Sequence, residues 1–168
     1  MSEPDVLHRS ELAAPDGRRL EASGVFHLCG AVYTVTFETP AGLATFLELY
    51  RSEADDTKVA RLHLTPQGTG LPASNLRFQL SLAHEVAAAV LIAMDADGRS
   101  HSWRTRGEAG PANVLLAHDS WHPAETALPP ESFITVAELH TVLTEWAFGE
   151  TLPPPAVRWL SVRDVGWF

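Results

Sequence analysis

Eight histidines stand among 168 residues, and imidazole is the side chain most often used to ligate zinc or to move a proton near neutral pH. The tightest group is His118-Asp119 with His122. On a helix this spacing would put both rings on one face. Here Asn113 to Ala117 reads as a strand and Pro123 follows directly, so the segment reads as loop. A metal centre needs further ligands in fixed geometry, and no other spacing supplies them. The plainer reading is a pair of exposed loop residues. His84-Glu85 begins like a zinc-deaminase signature, but no Pro-Cys-x-x-Cys follows. Asp95 and Asp97 resemble the opening of a calcium loop, yet Arg106 stands where the closing glutamate belongs. Gln67-Gly68-Thr69-Gly70 precedes no phosphate-binding helix, and the nucleotide-binding and nucleophile-elbow motifs are missing. Cys29, the single cysteine, reads as a small buried hydrophobe. Asp55-Asp56 has no claim above the other carboxylates. The chain therefore reads as non-enzymatic, with no cofactor and no metal.

Charge and aromatic residues say more. Between Gly107 and Val157 there is no lysine or arginine, while Glu108, Asp119, Glu125, Glu131, Glu138, Glu145 and Glu150 all fall there. Such a run makes a local negative field. It is either an acidic docking surface for a basic protein or a solvated face whose partners, such as Arg104, Arg106 and Arg158, come from elsewhere in the fold. All five tryptophans also lie late in the chain. Trp146 and Trp159 fall where core is expected, and Trp167 and Phe168 end the chain. Trp121 stands in a polar loop beside Asp119 and His122, where an exposed aromatic anchor would stand. Net charge is −9 and pI about 5.2, so direct nucleic-acid binding is disfavoured and a basic partner is attracted.

These residues must be held by a folded domain. Hydrophobic residues make up 45% and charged residues 20%, which is a globular balance. One cysteine forms no internal disulfide and suits a reducing cytoplasm. The first fifteen residues lack an apolar signal core, and the longest apolar run, Val86 to Met94, is too short to span a bilayer. Residues 1–24, with a Pro15-Asp16-Gly17 turn, read as a loose arm or one short leading element, and 25–168 as a single domain. Val25 to Phe37 reads as one strand. Thr39-Pro40 starts a helix with Leu43, Phe46, Leu47 and Tyr50 on its apolar stripe. Lys58 to Leu64 and Leu76 to Leu82 alternate as strands, the second being the clearest half-buried strand in the chain. Val86 to Met94 fits a buried strand or a short buried helix, and strand is preferred because Asp95-Ala96-Asp97-Gly98 can turn it back into Ser100 to Thr105. Asn113 to Ala117 gives one more strand. Val136 to Phe148 is the best helix, with a Thr135/Glu138 capping box and Gly149 at its end. Ala156 to Val162, after Pro153-Pro154-Pro155, gives the last strand. The predicted fold is α+β, an antiparallel sheet with two main helices packed on one face.

The C-terminal third also carries a resemblance. Leu128-Pro129, Ser132-Phe133-Ile134, the capped helix through Glu145-Trp146, Phe148-Gly149-Glu150, and Pro155 to Val157-Arg158-Trp159 together resemble immunity protein family one of bacterial polymorphic toxin systems. Thr151-Leu152-Pro153-Pro154-Pro155 is longer and richer in proline than that pattern, and residues 1–30 lie outside it. The resemblance implies an intracellular, monomeric protein that binds a cognate toxin domain one to one and blocks it. Toxins beside such proteins often act on nucleic acid, cytosine deaminases among them, and a basic toxin of that kind complements a −9 inhibitor. The expected contact residues are Asp119, Trp121 and Glu125 at the centre, with Glu108, Glu131 and Glu150. Two rival readings are an adaptor or chaperone for a secreted or regulatory partner, and a metal-dependent or acid–base enzyme built on His118, Asp119 and His122.

Overall fold

Leu62, Leu64, Leu76, Phe78 and Leu80 alternate with Arg61, His63, Asn75, Arg77 and Gln79, and side chains alternate across a pleated strand. Strands built from them present one apolar and one polar face. The computed structural model describes residues 4–14, 18–28, 31–53, 59–108, 110–111, 113–163 and 165. In chain order the elements are β1 (Leu7–His8), β2 (Leu20–Leu28), β3 (Ala31–Phe37), α1 (Pro40–Glu53), β4 (Ala60–Pro66), β5 (Ser74–Ser81), β6 (Val86–Met94) and β7 (Ser100–Arg106). Then follow β8 (Leu116–Ala117), β9 (Ala127–Leu128), β10 (Ile134–Thr135), α2 (Val136–Phe148), β11 (Thr151–Leu152) and β12 (Arg158–Ser161). The main sheet runs β12-β7-β6-β5-β4-β2-β3, every pair antiparallel, with β10 added beside the start of β6. This is an α+β fold, as the sequence predicts.

Both helices cover one face. Phe46, Leu47 and Tyr50 of α1 and Leu139, Leu143 and Trp146 of α2 join Leu62, Leu64, Leu76, Phe78, Leu91 and Trp103 in one buried cluster. Each such side chain contributes about 1.5–3 kcal/mol by leaving water. Gly24 in β2 lets α1 come close, since a Cβ there would lie 2.6 Å from the Phe46 ring. The start of α2 follows its sequence signals. Thr135 Oγ1 accepts from Glu138 N at 3.1 Å, and a Glu138 carboxylate oxygen accepts from Thr135 N at 2.7 Å. At its other end a Cβ on Gly149 would collide with the Glu145 carbonyl oxygen. Trp146 Nε1 donates to Ser74 Oγ at 3.1 Å, tying α2 to β5. Val86 to Met94 is strand β6, turned into β7 by Gly98 at φ +77 and by Asp95 Oδ1, which accepts from Asp97 N and Arg99 N at 2.9 Å each.

Four expectations need correction. Of the two readings of residues 1–24 the loose arm fails and the short leading element is exceeded: β1 pairs with β11, Leu12 bridges to Asp95, Leu7 and Leu12 are buried, and β2 already starts at Leu20. The run from Val25 to Phe37 is a hairpin, with Leu28 of β2 opposite Ala31 of β3, because strand-forming residues on both sides of the reversal mask it. Asn113 to Ala117 shortens to the two residues of β8, paired with β9. Strand β5 is buried on both faces rather than half-buried, since Asn75, Arg77 and Gln79 are as enclosed as Leu76 and Phe78. The turn at Pro15-Asp16-Gly17, and also Cys29, Asp55-Asp56, Lys58, Trp167 and Phe168, lie outside the described residues. Among the described residues no helix is long and apolar enough to cross a membrane.

Candidate functional site

The face of the sheet turned away from the helices is roofed by the long excursion between β7 and α2. At one end the roof is apolar: Leu116, Leu128 and Phe133 pack on Val86, Ala88, Val90 and Ile92 of β6. At the other end the sheet offers Arg61, His63, Asn75, Arg77 and Gln79, and here the roof is held by polar bonds. Gln79 Oε1 accepts from Ala117 N at 2.7 Å, and Ser120 Oγ accepts from Val59 N at 2.7 Å.

The loop 118–126 rises from this seat and closes on itself. His118 N donates to Thr126 O at 3.2 Å, Thr126 N donates to His122 O at 3.1 Å, and the Thr126 hydroxyl donates to His122 O at 2.8 Å. Asp119 is the hub. It accepts from Trp121 N at 2.9 Å and lies 3.3 Å from His122 Nδ1 and 3.8 Å from Arg61 Nη2. The backbone N–H of Trp121 holds its carboxyl below the usual range, with His122 and Arg61 adding to the effect against some desolvation. At the apex Trp121 is 79% exposed, and Pro123, Ala124 and Glu125 are exposed beside it.

Beneath the loop lies a largely enclosed polar layer. Burial lowers the pKa of His118, with Arg77 adding and Asp119 opposing. It lowers that of His63 too, helped by Arg61 and Arg77. Burial also brings Arg77 down to about 10, with Arg61 adding and Asp119 opposing. Both imidazoles are thus held neutral at pH 7. Their Nδ1 atoms and Asn75 Oδ1 are buried without a hydrogen-bond partner among the described residues. Among those residues no three histidine, cysteine or acidic side chains converge as metal ligands. What the arrangement does provide is a braced loop that presents one large aromatic side chain to solvent.

The six residues expected to form a contact surface do not share one patch. Asp119, Trp121 and Glu125 stand together on the loop. Glu108 pairs with Arg158 at 3.1 Å and Glu131 with Arg104 at 3.7 Å, both beside β7. Glu150 follows α2, where its carbonyl accepts from Arg9 N at 2.7 Å. Two of the arginines that the sequence offered as partners for the acidic run are therefore used as such. Glu138 caps α2, and a Glu145 carboxylate oxygen accepts from Ala156 N at 2.9 Å. Glu125 makes no ion pair among the described residues. Sequence reasoning passed over Arg61, Gln79 and Ser120, which seat the loop. Only the alternation of β4 and β5 hinted at the first two, and nothing marked Ser120.

No family profile and no curated protein matches the chain. A solved structure, the crystal structure of a hypothetical protein from Neisseria gonorrhoeae, is similar at a TM-score of 0.47 and 10% identity, over 80% of this chain and 89% of that one.

Proposed function

We propose that the chain is an immunity protein that binds a cognate toxin domain one to one and blocks it sterically, with the loop 118–126 as its contact tip. The observation that carries this reading is Trp121, 79% exposed on a loop already ordered by its own hydrogen bonds. Large aromatic side chains dominate interface energetics, and a pre-ordered loop loses little entropy on binding. The C-terminal resemblance supplies the class of partner. A basic, nucleic-acid-acting toxin such as a cytosine deaminase or nuclease would be drawn by the −9 net charge, and steered association reaches about 10⁸ M⁻¹s⁻¹ at low salt. Asp119 shapes the tip rather than touching the partner, and Glu125 is the loop's acidic contact.

Co-expression with the toxin domain encoded beside this chain, followed by pull-down and a growth-rescue assay, tests the reading. A stable complex with rescue is expected. Trp121→Ala should weaken binding about 30-fold or more, the size of a hot-spot loss. Binding without rescue would favour an adaptor for that partner, and no binding would overturn the immunity reading for it.

A further inference from the structure

A second surface lies at the edge of the sheet, away from the loop. Strand β12 pairs with β7 on one side, and its other side has no strand partner among the described residues. The pairing phase fixes which groups face outward. Val162 N donates to Ser102 O at 2.9 Å, and Arg158 and Leu160 stand opposite Arg106 and Arg104 in the same alternation. In an antiparallel ladder only every second residue bonds to a given neighbour. The N–H and C=O groups of Trp159 and Ser161 therefore point to the free edge. Beside that edge runs an apolar cleft of about 550 Å³, lined by Val6, Pro154, Pro155 and Val157 and by Arg106 and Arg158.

Charge adds a preference. Arg106 and Arg158 are directly opposed across β7 and β12, which places two cations side by side at this edge. Arg104 lies on the same face but is engaged by Glu131 at 3.7 Å and by Ser132 at 3.1 Å, so the exposed cation of this edge is Arg158. Glu108 answers Arg158 at 3.1 Å, but both side chains are largely exposed, at 65% and 86%. Such a pair is worth little and exchanges readily.

We infer that β12 and its cleft form a docking edge for an extended segment of a partner protein that alternates apolar and acidic residues. The segment would add as a further strand. Its backbone would bond Trp159 and Ser161, its apolar side chains would enter the cleft, and its carboxylates would displace Glu108 at Arg158. Strand addition of this kind takes affinity from main-chain bonds and specificity from alternate side-chain sites. This surface is independent of the loop reading, and either can fail without the other.

The test uses the full chain and two synthetic peptides, acetyl-Val-Glu-Val-Glu-Val-Glu-amide and its counterpart with lysine for glutamate, read by amide shifts in solution NMR. The glutamate peptide should shift Trp159 and Ser161, and the lysine peptide should not. Ser161→Pro removes one outward N–H at an exposed edge position, and Arg158→Glu reverses the charge. Each should weaken the glutamate peptide at least tenfold while the thermal midpoint stays close to that of the unaltered chain. Equal shifts from both peptides, shifts centred elsewhere, or binding unchanged in both variants would overturn the inference. So would no binding at all, which would make the arginines and prolines guards of a bare edge. Concentration-dependent dimerisation through β12 would overturn it in favour of a second copy of this chain.

Discussion

The two faces of the central sheet are closed by different physics. The helix face is dry: Leu, Phe and Trp side chains from two regular helices meet the apolar positions of β4 to β7. The other face is closed by a chain segment with little regular structure, and its contact with the sheet is polar at one end. A dry interface is stabilised by area and packing and needs few specific bonds. A polar interface depends on each bond being made, since an unmet buried donor or acceptor costs about 1–3 kcal/mol. Stability should therefore reside mainly on the helix face, while the roofed face spends part of its stability on shaping a loop.

The largest effect should come from the helix face. Trp146 is fully buried and bonded to Ser74 Oγ, so Trp146→Ala should cost about 3–5 kcal/mol, measured as a shift in urea midpoint. On the roofed face Gln79→Ala strands the buried Ala117 N–H and should cost about 1–3 kcal/mol. It should also speed amide exchange in residues 117–126 ahead of the rest. Exchange that rises uniformly would mean that the loop is not a separate unit, and the contrast between the faces would collapse.

Acid should separate the faces as well. His63 and His118 have folded pKa values below the ordinary 6.5, so below that pH the unfolded chain takes up more protons than the folded one. Stability is then lost as pH falls through about 6.5 toward the folded values and is unaffected above it. His140 on α2 is shifted the same way by burial and by Arg51, which makes it the internal comparison. The urea midpoint should fall with acid, and His118→Asn should flatten that fall and delay acid opening of the loop. His140→Asn should flatten the fall without changing loop exchange. Asp119 lies outside this window, because its depressed carboxyl loses its contribution only as pH falls through the region below 3.8.

What the sequence disclosed follows the same division. The start of α2 was legible to the residue, because capping is a local code written in Thr135 and Glu138. Strands β4 and β5 were legible because their apolar periodicity is strong, and β6 and β7 because the turn from Asp95 to Gly98 joins them. The anchoring of Leu7 and Leu12 was not, since the short apolar patches Val6-Leu7 and Leu12-Ala13-Ala14 carry no period and find their strand partners at β11 and Asp95, far along the chain. The enclosure of Asn75, Arg77 and Gln79 was hidden for a related reason. Polar residues at alternate positions look the same beneath a roof as in water, and the roof has no period of its own. In the candidate site the exposure of Trp121 was legible from its polar neighbours. Asp119 has a second part that charge alone did not disclose: it accepts from the Trp121 N–H, and an aspartate two residues before such a donor forms a turn.

The smallest effect on stability should come from the residue with the largest proposed role in binding. Trp121→Ala removes a side chain that is 79% exposed, while the bond from its backbone N–H to Asp119 survives. The urea midpoint should move by no more than the equivalent of about 0.5 kcal/mol. Asp119→Ala should act in the opposite proportion, loosening the loop by about 0.5–1.5 kcal/mol and weakening a partner only through lost order. If Trp121→Ala instead destabilised the fold as much as Gln79→Ala, the ring would be covering the polar seat. The loop would then be part of the roof and not a tip, and the division between a stabilising face and a presenting face would fail at its most exposed point.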